Sequence, residues 1–135
     1  MAWSTASSPA PGSSGSRWHA LLRKPAGLTR HEWLEIWQGS HTQVAIDTQA
    51  TFGYRQNLVV RPLGGAVPPV DAIVEENFPA EAMASDHAFY ATGGDEALLT
   101  RRKTTLLESC ARFIDFEYID VMPMSEYLIK PLAAP

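Results

Sequence analysis

The chain has 135 residues, of which 45% are hydrophobic and 19% charged, a composition that is typical of a globular domain and unlike that of a disordered chain. This length suits a single domain and excludes a multidomain enzyme. Eleven Lys and Arg stand against fifteen Asp and Glu, for a net charge of −4. We therefore expect no nucleic-acid partner, because a phosphate backbone is bound by a basic surface.

The cysteine content and the ends of the chain set further limits. A lone cysteine, Cys110, can form neither an internal disulfide nor a thiolate zinc site, which favours a reducing, cytoplasmic setting. Residues 1–16 include thirteen Ser, Ala, Pro or Gly, and such a segment predicts a disordered tail. We expect neither a signal peptide nor a membrane span. An ordered domain over residues 17–130 and a loose C-terminus over 131–135 are predicted.

The first predicted element is a strand. Trp18, Ala20 and Leu22 alternate with a second set of residues, as in a half-buried strand, and Pro25 and Gly27 end it.

Two helices are predicted next. Thr29 and Glu32 have capping-box spacing, and the helix that they begin is predicted to end at Gly39. The same spacing from Ser40 predicts the start of a second helix, with His41 in its first turn.

Strands and helices continue in the second half of the chain. Tyr54–Arg61 and Val70–Phe78 are predicted to be antiparallel neighbouring strands, and a helix is predicted from Pro79 to a point before Gly93. Asp95 caps the last predicted helix.

A final strand is predicted within about residues 119–129, where Pro123 favours an edge position. The order β, α, β, β, α, β is that of the split βαβ, or ferredoxin-like, fold, an antiparallel four-stranded sheet with helices on one face. The predicted fold class is therefore α+β.

Several segments together resemble the EthD-domain family of the dimeric α/β-barrel superfamily. They are KPAGLT at 24–29, WQGSH at 37–41, VDAIVE at 70–75, HAFY at 87–90 and ARFID at 111–115. The resemblance spans about residues 17–129 and implies a protomer that pairs through its sheet into a homodimeric barrel. Members of that family and its relatives include ether-degradation oxygenases and cofactor-free decarboxylases and cyclases of aromatic polyketides, so the resemblance alone selects no reaction. A sheet with one face free of helices independently favours a dimer.

His41 and Glu75 are the candidate catalytic residues. At a helix start, the dipole disfavours an imidazolium, so His41 would stay neutral and act as a general base. The alternative is a capping or surface histidine. Glu75 and Glu76 are adjacent in a predicted strand and must face opposite sides of the sheet. Glu75 matches the family pattern and is predicted to orient or charge the pocket, whereas two solvent-exposed charges remain the alternative.

The candidate substrate-binding residues are polar and aromatic. Tyr54 and Gln56 share a strand face and can bind phenol or carbonyl oxygens. The aromatic residues either form a wall for a planar ligand or belong to the core, and His87 lies either at a pocket rim or on the surface. These remaining candidates are Trp37, Tyr90, His87 and Phe113.

Motifs for metal or cofactor chemistry are absent from the sequence. His31 and Glu32 begin a zincin-like pattern without its second histidine, and no P-loop or dinucleotide fingerprint occurs. We therefore expect no metal and no cofactor. The sequence predicts a cofactor-independent lyase-type enzyme that decarboxylates, cyclises or isomerises an aromatic or polyketide-like acid by proton transfer. The alternatives are a non-catalytic ligand-binding accessory protein of an oxidative pathway and a cofactor-free monooxygenase.

Overall fold

The computed structural model of the protein describes residues 15–66, 68–127, 129–130 and 133. In chain order the elements are β1 (Gly15–Leu22), α1 (Arg30–Ile36), a π-helical turn (Trp37–His41), α2 (Thr42–Thr48), β2 (Gly53–Leu58), β3 (Ala72–Pro79), a 3-10 turn (Ala80–Met83), α3 (Asp86–Phe89), α4 (Glu96–Ala111), a second 3-10 turn (Phe116–Tyr118) and β4 (Asp120–Ser125). Residues 15 and 16, assigned to the tail from sequence, belong to β1. The rest of that tail and most of residues 131–135 lie outside the described residues.

The four strands form an antiparallel sheet in the order β2-β3-β1-β4. This arrangement confirms the predicted split βαβ fold, including the pairing of the second and third strands. Pro123 lies in β4, an edge strand, where a residue without a backbone N–H leaves fewer unmade ladder bonds than in a central strand.

Alternate residues of β1 and β3 face the helices and carry the core. Leu22, Val74 and Phe78 are buried on this side of the sheet. Trp33 and Phe113 pack in one cluster with Leu22 and Val74, and the Trp33 indole N–H donates to the Phe113 carbonyl oxygen at 2.9 Å. A buried indole N–H needs such a partner, so this bond fixes α1 against the end of α4.

The helical segment after β1 differs from its prediction at Gly39. The Thr29–Glu32 capping box is confirmed, but the helix does not end at Gly39 and restart at Ser40. It continues through the π-helical turn into α2, and the Ser40 hydroxyl donates to the Ile36 carbonyl oxygen at 3.0 Å. His41 therefore lies inside a continuous helical segment rather than at a helix start, and the helix-dipole reason given for its neutrality is wrong.

The prediction of a single helix from Pro79 is also wrong, because two short helical segments take its place. A 3-10 turn ends at Met83, and α3 begins after Ser85, whose hydroxyl accepts from the Ala88 N–H at 3.2 Å. This serine is a better N-cap than any residue near Pro79, so it restarts the helix. The cap of α4 is as predicted, with the Asp95 carboxylate accepting from the Leu98 N–H at 2.9 Å.

Candidate functional site

A cavity of about 160 Å³ lies between the sheet and the helices. Its floor is a cross-strand row in which Glu76 of β3 pairs with Tyr54 of β2 on one side and with Trp18 of β1 on the other. Apolar side chains form most of the remaining wall. The lining residues are Trp18, Ala20, Leu22, Gln49, Tyr54, Val74, Glu76, Phe89, Cys110, Ile114, Ile119 and Val121. Its size is close to the roughly 150 Å³ of a cavity that holds benzene, so it suits one ring or a short chain.

Glu76 is the carboxyl group of this cavity. Burial raises its pKa from 4.5 to about 7, because the apolar surroundings disfavour the charged form. In the orientation that satisfies its amide, Gln49 donates to Glu76 Oε1 at 3.0 Å and to the Ala45 carbonyl oxygen at 3.2 Å. Gln49 thus fixes the position of the carboxyl group. A carboxyl with a pKa near neutrality can both accept and return a proton.

Tyr54 pairs with Glu76 across β2 and β3 and lines the same cavity. Its hydroxyl oxygen accepts a hydrogen bond from the Trp37 indole N–H at 3.1 Å, and the side chain of Gln56 also lies within hydrogen-bonding reach of this hydroxyl. Burial raises the pKa of Tyr54 to about 12, so the phenol stays neutral. In this state Tyr54 can donate to a ligand oxygen on which negative charge develops.

Cys110 reaches the same cavity from α4. Burial, followed by the nearby Glu76 carboxylate, raises the pKa of its thiol to about 11. The thiolate is the nucleophilic form of cysteine, so a group held as the thiol is chemically quiet and contributes an apolar wall.

Glu75 lies on the opposite, helix-free face of the sheet. Its carboxylate is 3.2 Å from His19 Nε2, 3.7 Å from an Arg17 nitrogen and 3.3 Å from the Asn57 amide nitrogen. Burial opposes its ionisation, but hydrogen bonds from Asn57 and His19 and the charge of Arg17 outweigh that effect and lower its pKa. Glu75 is therefore a stable carboxylate in an ion-paired network.

His41 lies in a packed position between the helices and is not among the residues that line the cavity. It is 5% exposed, its Nδ1 is 2.9 Å from Ser109 Oγ, and its ring centroid is 4.4 Å from that of Phe113. Arg112 donates to the same Ser109 oxygen at 2.8 Å. Burial and then the Arg112 charge lower the pKa of His41 to about 4, so the ring is neutral at pH 7 for reasons other than the expected helix dipole.

The other candidate residues are dispersed. Trp37 and Phe113 are fully buried in the core, and Tyr90 is buried in a second cluster beneath α4. Gln56 spans Gln38 and Thr42 in a separate surface hollow.

The last of these candidates, His87, is held on the surface side of α3. Its Nδ1 lies 2.5 Å from Thr92 Oγ1 and its Nε2 2.9 Å from Glu96. Of the eight residues chosen from sequence, only Tyr54 lines the cavity that holds Glu76.

The alternation of residues in β3 indicates the position of Glu76. Ala72, Val74 and Phe78 occupy alternate positions of β3 and are all apolar, so the residue between the last two shares their face. That residue is Glu76. The sequence gives no equivalent signal for Gln49. This residue lies in the loop between α2 and β2, where no strand alternation indicates which way a side chain faces.

The described residues contain no group of three or more His, Cys, Asp or Glu side chains arranged to hold a metal ion. Among the helices of that same part of the chain, none has the length and apolar character needed to cross a membrane.

Among the solved structures that resemble this chain are two ferredoxin-like proteins. One is a dimeric ferredoxin-like protein of unknown function from Thermobifida fusca YX, with a TM-score of 0.52 and 15% identity over 85% of this chain and 93% of that chain. The other is a dimeric protein of unknown function and ferredoxin-like fold from Bacteroides fragilis NCTC 9343, with a TM-score of 0.51 and 11% identity over 83% of this chain and 96% of that chain. At such identities the likeness concerns the fold alone.

No protein-family model matches the sequence, and no curated protein matches it either. The specific EthD assignment is therefore not shown, whereas the coarser prediction is confirmed: the chain has a ferredoxin-like fold.

Proposed function

We propose that the protein is a cofactor-independent proton-transfer enzyme that isomerises or cyclises a small enolisable carbonyl compound in the cavity at Glu76. The observation that carries this proposal is the cross-strand pair of Glu76 and Tyr54 at the floor of a largely apolar cavity. Glu76 as the carboxylate removes a proton from the carbon next to the carbonyl group. Tyr54 then stabilises the enolate oxygen, and Glu76 returns the proton at another carbon.

Charge balance favours this chemistry over decarboxylation at the same place. Among the described residues that line the cavity, Glu76 is the only charged one. A ligand carboxylate buried there would therefore have no positively charged partner. Burying a charge without a partner costs roughly several kcal/mol. An acid substrate is therefore expected to hold its carboxylate outside the cavity and to react at a carbonyl group inside it.

The working unit in this proposal is a homodimer of EthD-like protomers in a reducing, cytoplasmic setting. Both solved relatives are described as dimeric. The helix-free face of the sheet, formed here by Arg17, His19, Glu75 and the methionines of β4, combines ion pairs with side chains such as Met122, which is 41% exposed. A second copy seated on this face would bury its apolar part.

Hydrogen–deuterium exchange tests the proton transfer without knowledge of the natural substrate. Single-ring aryl ketones and β-keto acids are incubated with the protein in D₂O, and loss of the proton next to the carbonyl group is followed by NMR. Glu76→Gln keeps the shape of the side chain and is expected to slow exchange by about 100-fold or more. Glu75→Gln, its neighbour on the other face, is the matched control and is expected to exchange as the wild type does.

Other results would select other functions. Exchange that survives Glu76→Gln contradicts the proposal. Binding of these compounds with no exchange favours an accessory ligand-binding protein, and turnover that requires oxygen favours a cofactor-free monooxygenase.

A further inference from the structure

A second, larger hollow of about 400 Å³ adjoins the cavity on the side of α3. Trp18 and Phe89 line both spaces, so these two side chains form the wall between them. Their ring centroids are 5.3 Å apart. The outer hollow is more polar than the inner cavity because its lining includes Ser85, Asp86 and Lys103.

The two sides of this wall are held differently. Trp18 lies in a central strand, and its indole N–H donates to Ser16 Oγ at 3.0 Å. Phe89 ends a four-residue helix and is followed by Ala91, whose φ of 50° is unusual for a residue with a Cβ, and by two glycines of positive φ. The Phe89 ring stacks on Phe78 with ring centroids 4.4 Å apart. Trp18 lies in a strand that is paired on both sides, whereas Phe89 lies in a helix of four residues, so a ligand that occupies both spaces would displace the Phe89 side chain rather than Trp18.

Charge distinguishes the two spaces as well. The described lining of the inner cavity contains Glu76 and no Lys or Arg, whereas the outer hollow contains Lys103. The Lys103 ammonium lies 2.7 Å from the Asp86 carboxylate. An ammonium group has three N–H donors, and this contact uses one of them. Asp86 is largely exposed and can remain hydrated when a second carboxylate approaches Lys103.

We infer that the inner cavity and the outer hollow form one binding site across Trp18 and Phe89, for an elongated ligand with an apolar ring at Glu76 and a carboxylate at Lys103. The carboxylate is a handle for binding and not the reacting group. The inference rests on the proposed function for the ligand end in the inner cavity. It adds the substrate class, which is a carboxylic acid separated from its ring by a short chain.

The probes are 3-phenylpropanoate, 4-phenylbutanoate and 5-phenylpentanoate, each paired with its uncharged amide. Dissociation constants are measured by calorimetry on the full chain at about pH 6, where these carboxylic acids are ionised and a carboxyl with the pKa of Glu76 is mostly neutral. At least one acid is expected to bind about tenfold more tightly than its amide, the ratio given by one hydrogen bond to a charged group.

Two variants separate the cation from the ion pair. Lys103→Gln and Asp86→Asn both remove the ion pair between these side chains, but only the first removes the positive charge. Lys103→Gln is expected to bring the acid-to-amide ratio close to one, whereas Asp86→Asn and Lys103→Arg keep it. Both sites are on the surface, so the variants are expected to fold.

The position of the probe is measured by NMR. Contacts from the ring to the methyl groups of Val74 and Ile114, together with contacts from the chain to Ala82 and Met83, support the inference. Contacts confined to one space, an unchanged ratio in Lys103→Gln, or no binding by any acid would overturn it. If the acids bind more tightly than their amides but no proton exchange occurs, the elongated binding site is supported and the proposed function is contradicted. If exchange occurs without a preference for the acids, the proposed function is supported and the elongated binding site is contradicted.

Discussion

Glu75 and Glu76 are neighbours in one strand, yet the two faces of the sheet give them opposite properties. Glu75 lies among Arg17, His19 and Asn57, which lower its pKa, and Glu76 lies in an apolar cavity that raises its pKa to about 7. The residue type is the same and the separation is one position. The difference shows that the environment on each face, and not the presence of a carboxylate, determines which group can exchange protons near neutral pH.

The stability of the protein should depend on pH with opposite signs for these two groups. Glu76 has a folded-state pKa above its unfolded value of 4.5, so its favourable contribution is complete below pH 4.5 and is lost as the pH rises to about 7. A shift of this size corresponds to about 3 kcal/mol, an upper value for a group that keeps some access to water. Urea unfolding of the wild type and Glu76→Gln at several pH values measures this loss as a difference between the two proteins.

Glu75→Gln is the control with the reverse sign. A lowered folded-state pKa gives stability that is present above pH 4.5 and is lost as the pH falls through the folded-state value. If both variants changed the pH dependence in the same direction, the two faces would not differ as described.

The helix-free face can be tested separately through the dimer. Met122→Glu places a charge on the proposed interface and removes an apolar side chain, so we expect the dimer dissociation constant to rise by about tenfold or more. Analytical ultracentrifugation measures this change. Leu107→Glu introduces the same charge at an exposed apolar residue of α4 and should leave the dimer unchanged. A wild-type chain that is monomeric at micromolar concentration would contradict the interface.

A smaller effect is expected for the neighbour of Glu76 on β2. Tyr54→Phe removes the hydroxyl that would donate to the enolate and should slow deuterium exchange by about tenfold, the worth of one hydrogen bond to a developing charge. Asn57→Ala changes the other face of the same strand and should have no such effect. Equal rates in Tyr54→Phe and the wild type would remove Tyr54 from the proposed chemistry.

The smallest effect on exchange is expected at His41. Its predicted catalytic role stays a prediction, and because the ring does not line the cavity, His41→Gln is expected to change the exchange rate by less than about threefold. The same variant should remove an acid-dependent loss of stability. The pKa of His41 is lowered from 6.5 to about 4, so its contribution is present above pH 6.5 and is lost as the pH falls to about 4. A large loss of exchange would restore His41 as the base.

The fold was largely accessible from the sequence because its signals are local. The capping box at Thr29, the cap at Asp95, the strand alternation and Pro123 at an edge each follow from neighbouring residues. The two errors arose where a competing local bond prevailed. Ser40 bonds backward to Ile36 instead of starting a helix, and Ser85 caps α3 beyond the position that Pro79 favours.

The site was less accessible because it depends on which face of each element is covered. Tyr54 could be predicted as a site residue because it shares a strand face with the polar residue Gln56. Glu76 was passed over in favour of Glu75, although the apolar residues Val74 and Phe78 on either side share its face. Gln49 and Trp18 meet at the cavity from segments far apart in the chain, and no spacing rule brings such residues together.

The most direct test is a titration of the two neighbouring carboxyl groups by carbon-detected NMR, with Glu75→Gln and Glu76→Gln used to assign the side-chain signals. We expect Glu76 to titrate at about 7 and Glu75 below 4.5. If Glu76 instead titrated at or below 4.5, the cavity would hold an ordinary carboxylate and the proton-transfer site proposed for it would be contradicted.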